Sequence, residues 1–412
     1  MSSHFNINKI LERGLLAALF IPIATGKWGS YIGFSAQGPF LEDFLIFSSC
    51  LLIFLRRPRL LLHRPAIQFA SIAFLSYQMC RNQDIPIGIR LRDLIPFIYF
   101  PLFPALGYLF KSIGIGRVLI LIRKATLFHL CWTAAVATNV ISPITLPIPF
   151  NIPVFTTRWD QSGFVYAIGI VAWSSFQKQN LKHNSFIRFG FLLMAITQGS
   201  RAGLLSVLLA ILWVMFVGKN GRKRKFDERR DLFGPILITG VFFLVLFSPY
   251  FVNLLPENSS LGRIGLINVS DRASANADGT ATGRRIAQTK LINWVNSRNQ
   301  ILLGVGPGVE MVYESGAYLT LSGAKEVRAP HSWLIGSLAR FGIIGSLFWY
   351  LVLLSITGIG STALRRPETV WILAIMITSY FGVIIESPFG IIPLVVFASS
   401  LGFKDYEKND YF

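Results

Sequence analysis

A handful of residues in this chain have the type and the setting for chemistry. Of its five histidines, His331 alone stands between a proline and the start of a long apolar run, in "APHSWLIGSLARFGIIG". A histidine at the amino end of a helix, near cationic arginines, is disfavoured as imidazolium, and a neutral ring near pH 7 can accept a proton. The structural alternative is a ring that binds a lipid headgroup or caps a helix. Two arginine placements raise a second possibility. In "TQGSRAGLL" Ser200 can cap a helix whose first turn carries Arg201, and in "TATGRR" Thr282 can do so for Arg284 and Arg285. A cation there opposes the helix dipole by about 0.3–1 kcal/mol, so local helix stability does not explain it. Helix amino termini joined to guanidinium groups form anion sites, and a diphosphate suits them. Alternatively, these arginines snorkel to lipid phosphates.

The elements that must hold these residues are membrane helices. The chain has 412 residues, 53% of them hydrophobic and 14% charged, with a mean hydropathy of +0.55. That is more apolar surface than a soluble fold of this length could bury. Apolar stretches approaching the ~20 residues of a membrane crossing recur along its length. They predict about twelve spans, at 13–26, 39–55, 65–80, 93–110, 118–141, 162–177, 186–199, 202–218, 232–252, 332–357, 369–385 and 388–403. The expected fold is therefore all-α, a single integral membrane domain over 1–412 with no soluble domain at either end. The first stretch resembles the basic and hydrophobic regions of a signal peptide, and the spans that follow favour a retained anchor. No internal repeat is evident.

Orientation follows from the basic residues, which resist translocation. With the amino terminus cytoplasmic, the inner side carries 24 Lys and Arg, counting Arg13, Arg123, Lys124 and Arg188 within the drawn spans, and the outer side 14, eight of the latter in one long loop that largely escapes the rule; the remaining one, Arg340, lies inside a span. "RRPR" at 56–59, "KNGRKRKFDERR" at 219–230 and "RRP" at 365–367 are the inner clusters. The net charge of +19 is thus a topology signal, and nucleic acid is not an expected partner. Cys50, Cys80 and Cys131 lie in or beside apolar stretches and form no disulfide framework.

The long outer loop, 253–330, breaks the pattern and is too long to be a mere connector. Within it, Ala287, Leu291, Trp294 and Val295 share one helical face, which reads as an amphipathic helix on the outer membrane surface. The glycine-rich "LLGVGPGVE" follows. It lacks the Gly-Lys-Ser/Thr step and the three-glycine fingerprint of nucleotide loops, so ATP-driven transport has no support. No Asp or His cluster has metal-ligand spacing; Asp271 and Asp278 stand apart.

Taken in order, "SRAG" at 200–203, "TGRRIAQTKLINW" at 282–294, "GVGPG" at 304–308 and "HSWLIGSLARFGIIG" at 331–345 resemble the bacterial O-antigen ligase and O-antigen polymerase superfamily over about 155–400. The resemblance implies a membrane glycosyltransferase in the bacterial inner membrane, with its site on the outer side. It would move a glycan from a polyprenyl diphosphate to an acceptor hydroxyl with inversion, without metal or other cofactor. The acceptor would be a glycan or a lipid A core, and other polysaccharide assembly proteins are conceivable partners. His331 matches the family's loop histidine, and Arg201 with Arg284 or Arg285 its phosphate-handling arginines. "TTRWDQSG" also resembles the family, which adds Arg158 and Asp160. Departures are the proline in "GVGPG" and Arg340 inside a span, an expensive charge that could serve function or pair with Glu386. A lipid-linked glycan flippase or another secondary transporter is the competing reading. It would distribute charges around a midplane cavity, often in repeated halves, rather than gather them at one outer loop. A scaffold subunit is a third.

The charge asymmetry makes the topology testable. Single cysteines at Ser260 and Lys325 should react with an impermeant maleimide from outside, and one at Asn220 should not; the reverse pattern would discard this orientation.

Overall fold

The computed structural model describes residues 7–26, 28, 40–146, 152–157, 159–174, 181–197, 201–218, 281–321, 328–358, 366–382 and 384–403. These are mostly helical: α1 (Ile7–Thr25), α2 (Leu41–Arg56), α3 (Pro65–Met79), α4 (Ile87–Ile98), α5 (Phe103–Ile113), α6 (Ile115–Ala137), α7 (Trp159–Ser174), α8 (Leu181–Thr197), α9 (Arg201–Gly218), α10 (Ala281–Ser297), α11 (Met311–Glu314), α12 (Trp333–Thr357), α13 (Pro367–Phe381) and α14 (Pro388–Gly402). A small antiparallel hairpin, β1 (Ile144–Leu146) and β2 (Ile152–Val154), pairs Ile144 with Val154.

Eleven of the twelve predicted segments coincide with helices, and the remaining one, 232–252, lies outside the described residues. Coincidence with a helix does not establish a crossing. Among the described residues, α6 and α12 are long and apolar enough to span a membrane, and α4 with α5 would make a third if their bent pair is one span. A 15-residue helix such as α13 or α14 reaches only about 22 Å, short of the ~30 Å hydrocarbon core. The predicted single span at 93–110 is in fact α4 and α5, bent by 45° at a short 3-10 turn, Phe100–Leu102. Pro101 and Pro104 explain the break, because each lacks the N–H that would continue the helix.

The chain forms two units. The first comprises Met1–Lys223, Trp349–Thr378 and Ile384–Phe412. In it the predicted inner arginines close helix ends. Arg64 donates to the carbonyls of Ser355 and Gly402, and Arg366 to that of Ser400 at 3.1 Å. A guanidinium at helix carboxyl ends satisfies unpaired carbonyls and complements the dipole. Arg64 and Arg366 thus both reach the carboxyl end of α14. At the other end of α1, the Ala24 carbonyl receives Trp132 Nε1 at 2.8 Å and lies 3.2 Å from His129 Nδ1. His129 is a buried core residue.

The second unit, Arg224–Phe348 with Ser379–Val383, contains the departure that matters most. The predicted span 332–357 is not one continuous helix: α12 breaks at Gly342, whose φ of 69° and ψ of −173° belong to a region essentially open only to glycine. In an unbroken helix Ile343 and Ile344 would donate to Ala339 and Arg340. Here those two carbonyls accept from Val305 at 2.9 Å and Gly306 at 2.8 Å, while Ile343 and Ile344 donate to Ile301 and Leu302, both at 3.1 Å. Two intrahelical bonds are exchanged for four with the turn at 301–306. The backbones lie so close that a Cβ on Gly304 would overlap Arg340, and one on Gly342 would overlap Leu302.

That contact can be tested directly. Gly342→Ala and Gly304→Ala should each lower the thermal midpoint of the detergent-solubilised protein, with strain of about 1–3 kcal/mol before any overlap is counted. Gly88→Ala, which meets open space in α4, should not. Equal midpoints for all three would remove the exchange as a structural determinant.

Candidate functional site

The second unit is organised by α10. Its predicted apolar face is the buried one: Ala287, Leu291 and Val295 are inaccessible and Trp294 packs beside them. The face does not lie on a membrane surface as expected. It packs into a small core with Val305, Met311, Val312, Ala317, Leu321 and Ala339. Burial there outcompetes insertion at an interface, since the same apolar area leaves water either way and the protein core adds close packing. This core also anchors the turn that engages the break in α12.

The functional candidates sit around it. Arg284, in the first turn of α10, is half-buried and donates from Nη1 to the Phe381 carbonyl at 3.4 Å. The next carbonyl, Gly382, accepts the Trp333 N–H at 3.2 Å. Trp333 opens α12 two residues after His331. Adjacent carbonyls at the carboxyl end of α13 therefore hold both the arginine and the helix start that carries the histidine. Arg284 Nε is buried and takes no hydrogen bond partner among the described residues. Arg285 is exposed, so of the two neighbours only Arg284 is turned to this place.

His331 is not itself helical. It has a φ of 54°, left-handed and uncommon for a residue with a side chain, although His is enriched there. It is half-buried between buried Pro330 and Ser332, whose carbonyl accepts the Gly336 N–H at 3.0 Å to start the helix. Left-handed backbone at a residue with a side chain is held by its surroundings. One such support escaped the reading of the sequence: Arg328 donates from Nη2 to the Gly308 carbonyl at 3.0 Å, tying the segment before His331 to the "GVGPG" turn. Nothing in its local sequence marks it, because its partner is a backbone atom 20 residues away.

Arg340 is 3% exposed, on the last turn before the break, with Ser337 Oγ and Ser346 Oγ 3.2 Å apart across it. Glu386 is half-buried in the first unit, before α14.

Asp160 and Arg201 also belong to the first unit. Gly163 of α7 and Gly203 of α9 approach so closely that a Cβ on the former would overlap the latter, which brings the amino ends of the two helices side by side. Asp160 and Arg201 are backbone neighbours of that contact, and the glycine of "SRAG" is explained by it. Arg158 lies outside the described residues, as do Ser200 and, in the outer loop, 253–280 and 322–327.

The order of motifs thus has a physical basis in the segment from α8 into α12. Residues 186–350 match the O-antigen ligase family, Wzy_C. The match takes in α9, the outer loop, "GVGPG" and the His331 helix, the same features that carried the resemblance in the sequence. Among curated proteins none matches the chain. The likeness to the O-antigen ligase family thus rests on this segment of the chain.

If Arg284 handles phosphate, its loss should affect turnover more than folding, because one 3.4 Å bond to a carbonyl contributes little. Arg284→Ala should lower transfer at limiting donor by about tenfold or more with the thermal midpoint nearly kept, and Lys should restore only part, lacking the two-pronged donor geometry. Full transfer by the Ala variant would leave Arg284 a cap for α13.

Proposed function

We propose that the chain transfers a glycan from a polyprenyl diphosphate to an acceptor hydroxyl on the outer side of the bacterial inner membrane, as an O-antigen ligase or surface polysaccharide polymerase. The observation that carries this is the pairing of Arg284 and the His331 helix start on the successive carbonyls of Phe381 and Gly382. It sets a cation and an imidazole in one neighbourhood of the family-matched segment.

In this mechanism His331 accepts the proton of the acceptor hydroxyl as its oxygen attacks the anomeric carbon from the face opposite the leaving group. The bond from that carbon to the diphosphate breaks, the configuration inverts, and the diphosphate departs with its electron pair. Arg284 stabilises the negative charge that grows on it, the role a divalent cation has elsewhere. The family resemblance gives Arg201 the same phosphate-handling role. Arg328 is a positioning residue, acting through the backbone that presents His331.

The left-handed backbone at residue 331 sharpens the test. Asn tolerates that conformation well but is no base, so His331→Asn should fold like the parent. Purified protein is given polyprenyl-diphosphate glycan and candidate acceptors, with and without EDTA, and products are read by mass spectrometry. His331→Asn and His331→Ala should bind donor yet lose about 10²–10⁴ in rate. Parental activity should decline as pH is lowered and the ring takes up a proton, and it should survive EDTA. More than about a tenth of parental turnover in either variant would be inconsistent with general-base loss of that size.

A further inference from the structure

The second unit presents a surface that the proposed reaction leaves unused. At the end of α10 the Arg298 guanidinium lies 4.3 Å from the centre of the Trp294 ring, and its Nη2 donates to Glu314 Oε2 of α11 at 3.1 Å. Beside Glu314, the Tyr313 ring meets that of Tyr318 at 5.2 Å, tilted by 36°. Tyr318 belongs to a 3-10 turn, Ala317–Thr320. Trp294 and Tyr318 pack on the small core to which α12 contributes Ala339. The core thus fixes two of these aromatic rings, while Tyr313, Arg298 and Glu314 remain exposed.

Stability does not account for the arrangement, because an exposed ion pair contributes little to folding. Its chemistry suits a polyhydroxylated ligand. Tyrosine and tryptophan give broad, rigid contact area at small entropic cost, and the C–H face of a sugar ring stacks on such rings. The Arg298–Glu314 bond uses one of the guanidinium's N–H donors and one carboxylate oxygen, and the others can take sugar hydroxyls. The pair is neutral as a whole, which favours hydroxyls over a phosphate.

Position narrows the ligand further. Arg298 follows Arg284 by 14 residues, almost four helical turns, so it lies about 21 Å along α10 and on about the same side. A sugar bonded directly to a diphosphate on Arg284 could not reach it; sugars further along the same glycan could. We infer that this surface binds the glycan of the lipid-linked donor several sugars away from the diphosphate, with sugar rings on the tyrosines and hydroxyls on Arg298 and Glu314. Trp294 holds the guanidinium in place. The inference rests on the proposed donor and on Arg284 as its phosphate ligand, and it adds a preference for donors whose glycan is long enough to run the length of α10.

The test is affinity measured without turnover, by native mass spectrometry of the full chain in nanodiscs. The probes are polyprenyl diphosphates bearing either the first sugar or the complete repeat of the producing organism's surface glycan. The parent should bind the long donor about tenfold more tightly than the short one. Arg298→Ala, Glu314→Gln and Tyr313→Ala, all at exposed side chains, should each shrink that ratio to within about threefold of unity, whereas Arg284→Ala should weaken both donors alike. Equal binding of the two donors by the parent would overturn the inference and leave the proposed reaction standing; binding of neither would overturn both. An unchanged ratio in all three surface variants, an equal loss for both donors in them, or a defect confined to acceptor affinity would also overturn it.

Discussion

Within an apolar environment no peptide group can be left without a hydrogen-bond partner, and the break in α12 is the place where this constraint is most severe. Opening a helix beside the buried Ala339 and Arg340 releases two carbonyls and two N–H groups that must find new partners. Here the turn at 301–306 receives all four. The exchange demands backbone closer than any side chain allows, hence glycine on both sides, at 304 and 342. Much of the second unit follows from it. The turn must be held, and α10 and its small core hold it; the helix before the break is short, and its start is the segment that presents His331.

The second organising feature is an end-to-end meeting of helices. The carboxyl end of α13 leaves carbonyls unpaired, and the amino end of α12 leaves N–H groups unpaired; Gly382 and Trp333 satisfy one of each. Arg284 completes the arrangement at Phe381. This resolves the oddity of an arginine in the first turn of α10. The position is unfavourable to its own helix but favourable to the negative end of another.

What was legible in the sequence was local and periodic. Eleven apolar segments could be found because burial in lipid or protein selects long apolar runs, and the buried face of α10 because a 3.6-residue repeat marks it. "GVGPG" announced a turn. Its partner was hidden, since Gly342 within "ARFGIIG" looks like any small residue in an apolar run and only the three-dimensional approach of Leu302 makes it indispensable. Arg328 was hidden for a related reason: its partner is a backbone carbonyl, which carries no complementary charge for a pattern to reveal. His331 and Arg284 were legible as types, while their shared support on α13 belongs to long-range packing.

The arginines at 64 and 366 carry a consequence for how such a chain is made. During synthesis each is a charge that biases which way the neighbouring segment enters the bilayer; in the finished fold the same guanidinium closes the ends of α12 or α14. Biogenesis and architecture are therefore written in the same residues. α14 and the end of α12 emerge hundreds of residues after Arg64, so that arginine waits uncapped through most of translation. An evolutionary drift of Lys for Arg at these points would preserve the insertion signal while degrading the closure, separating two demands that the present sequence meets with one side chain.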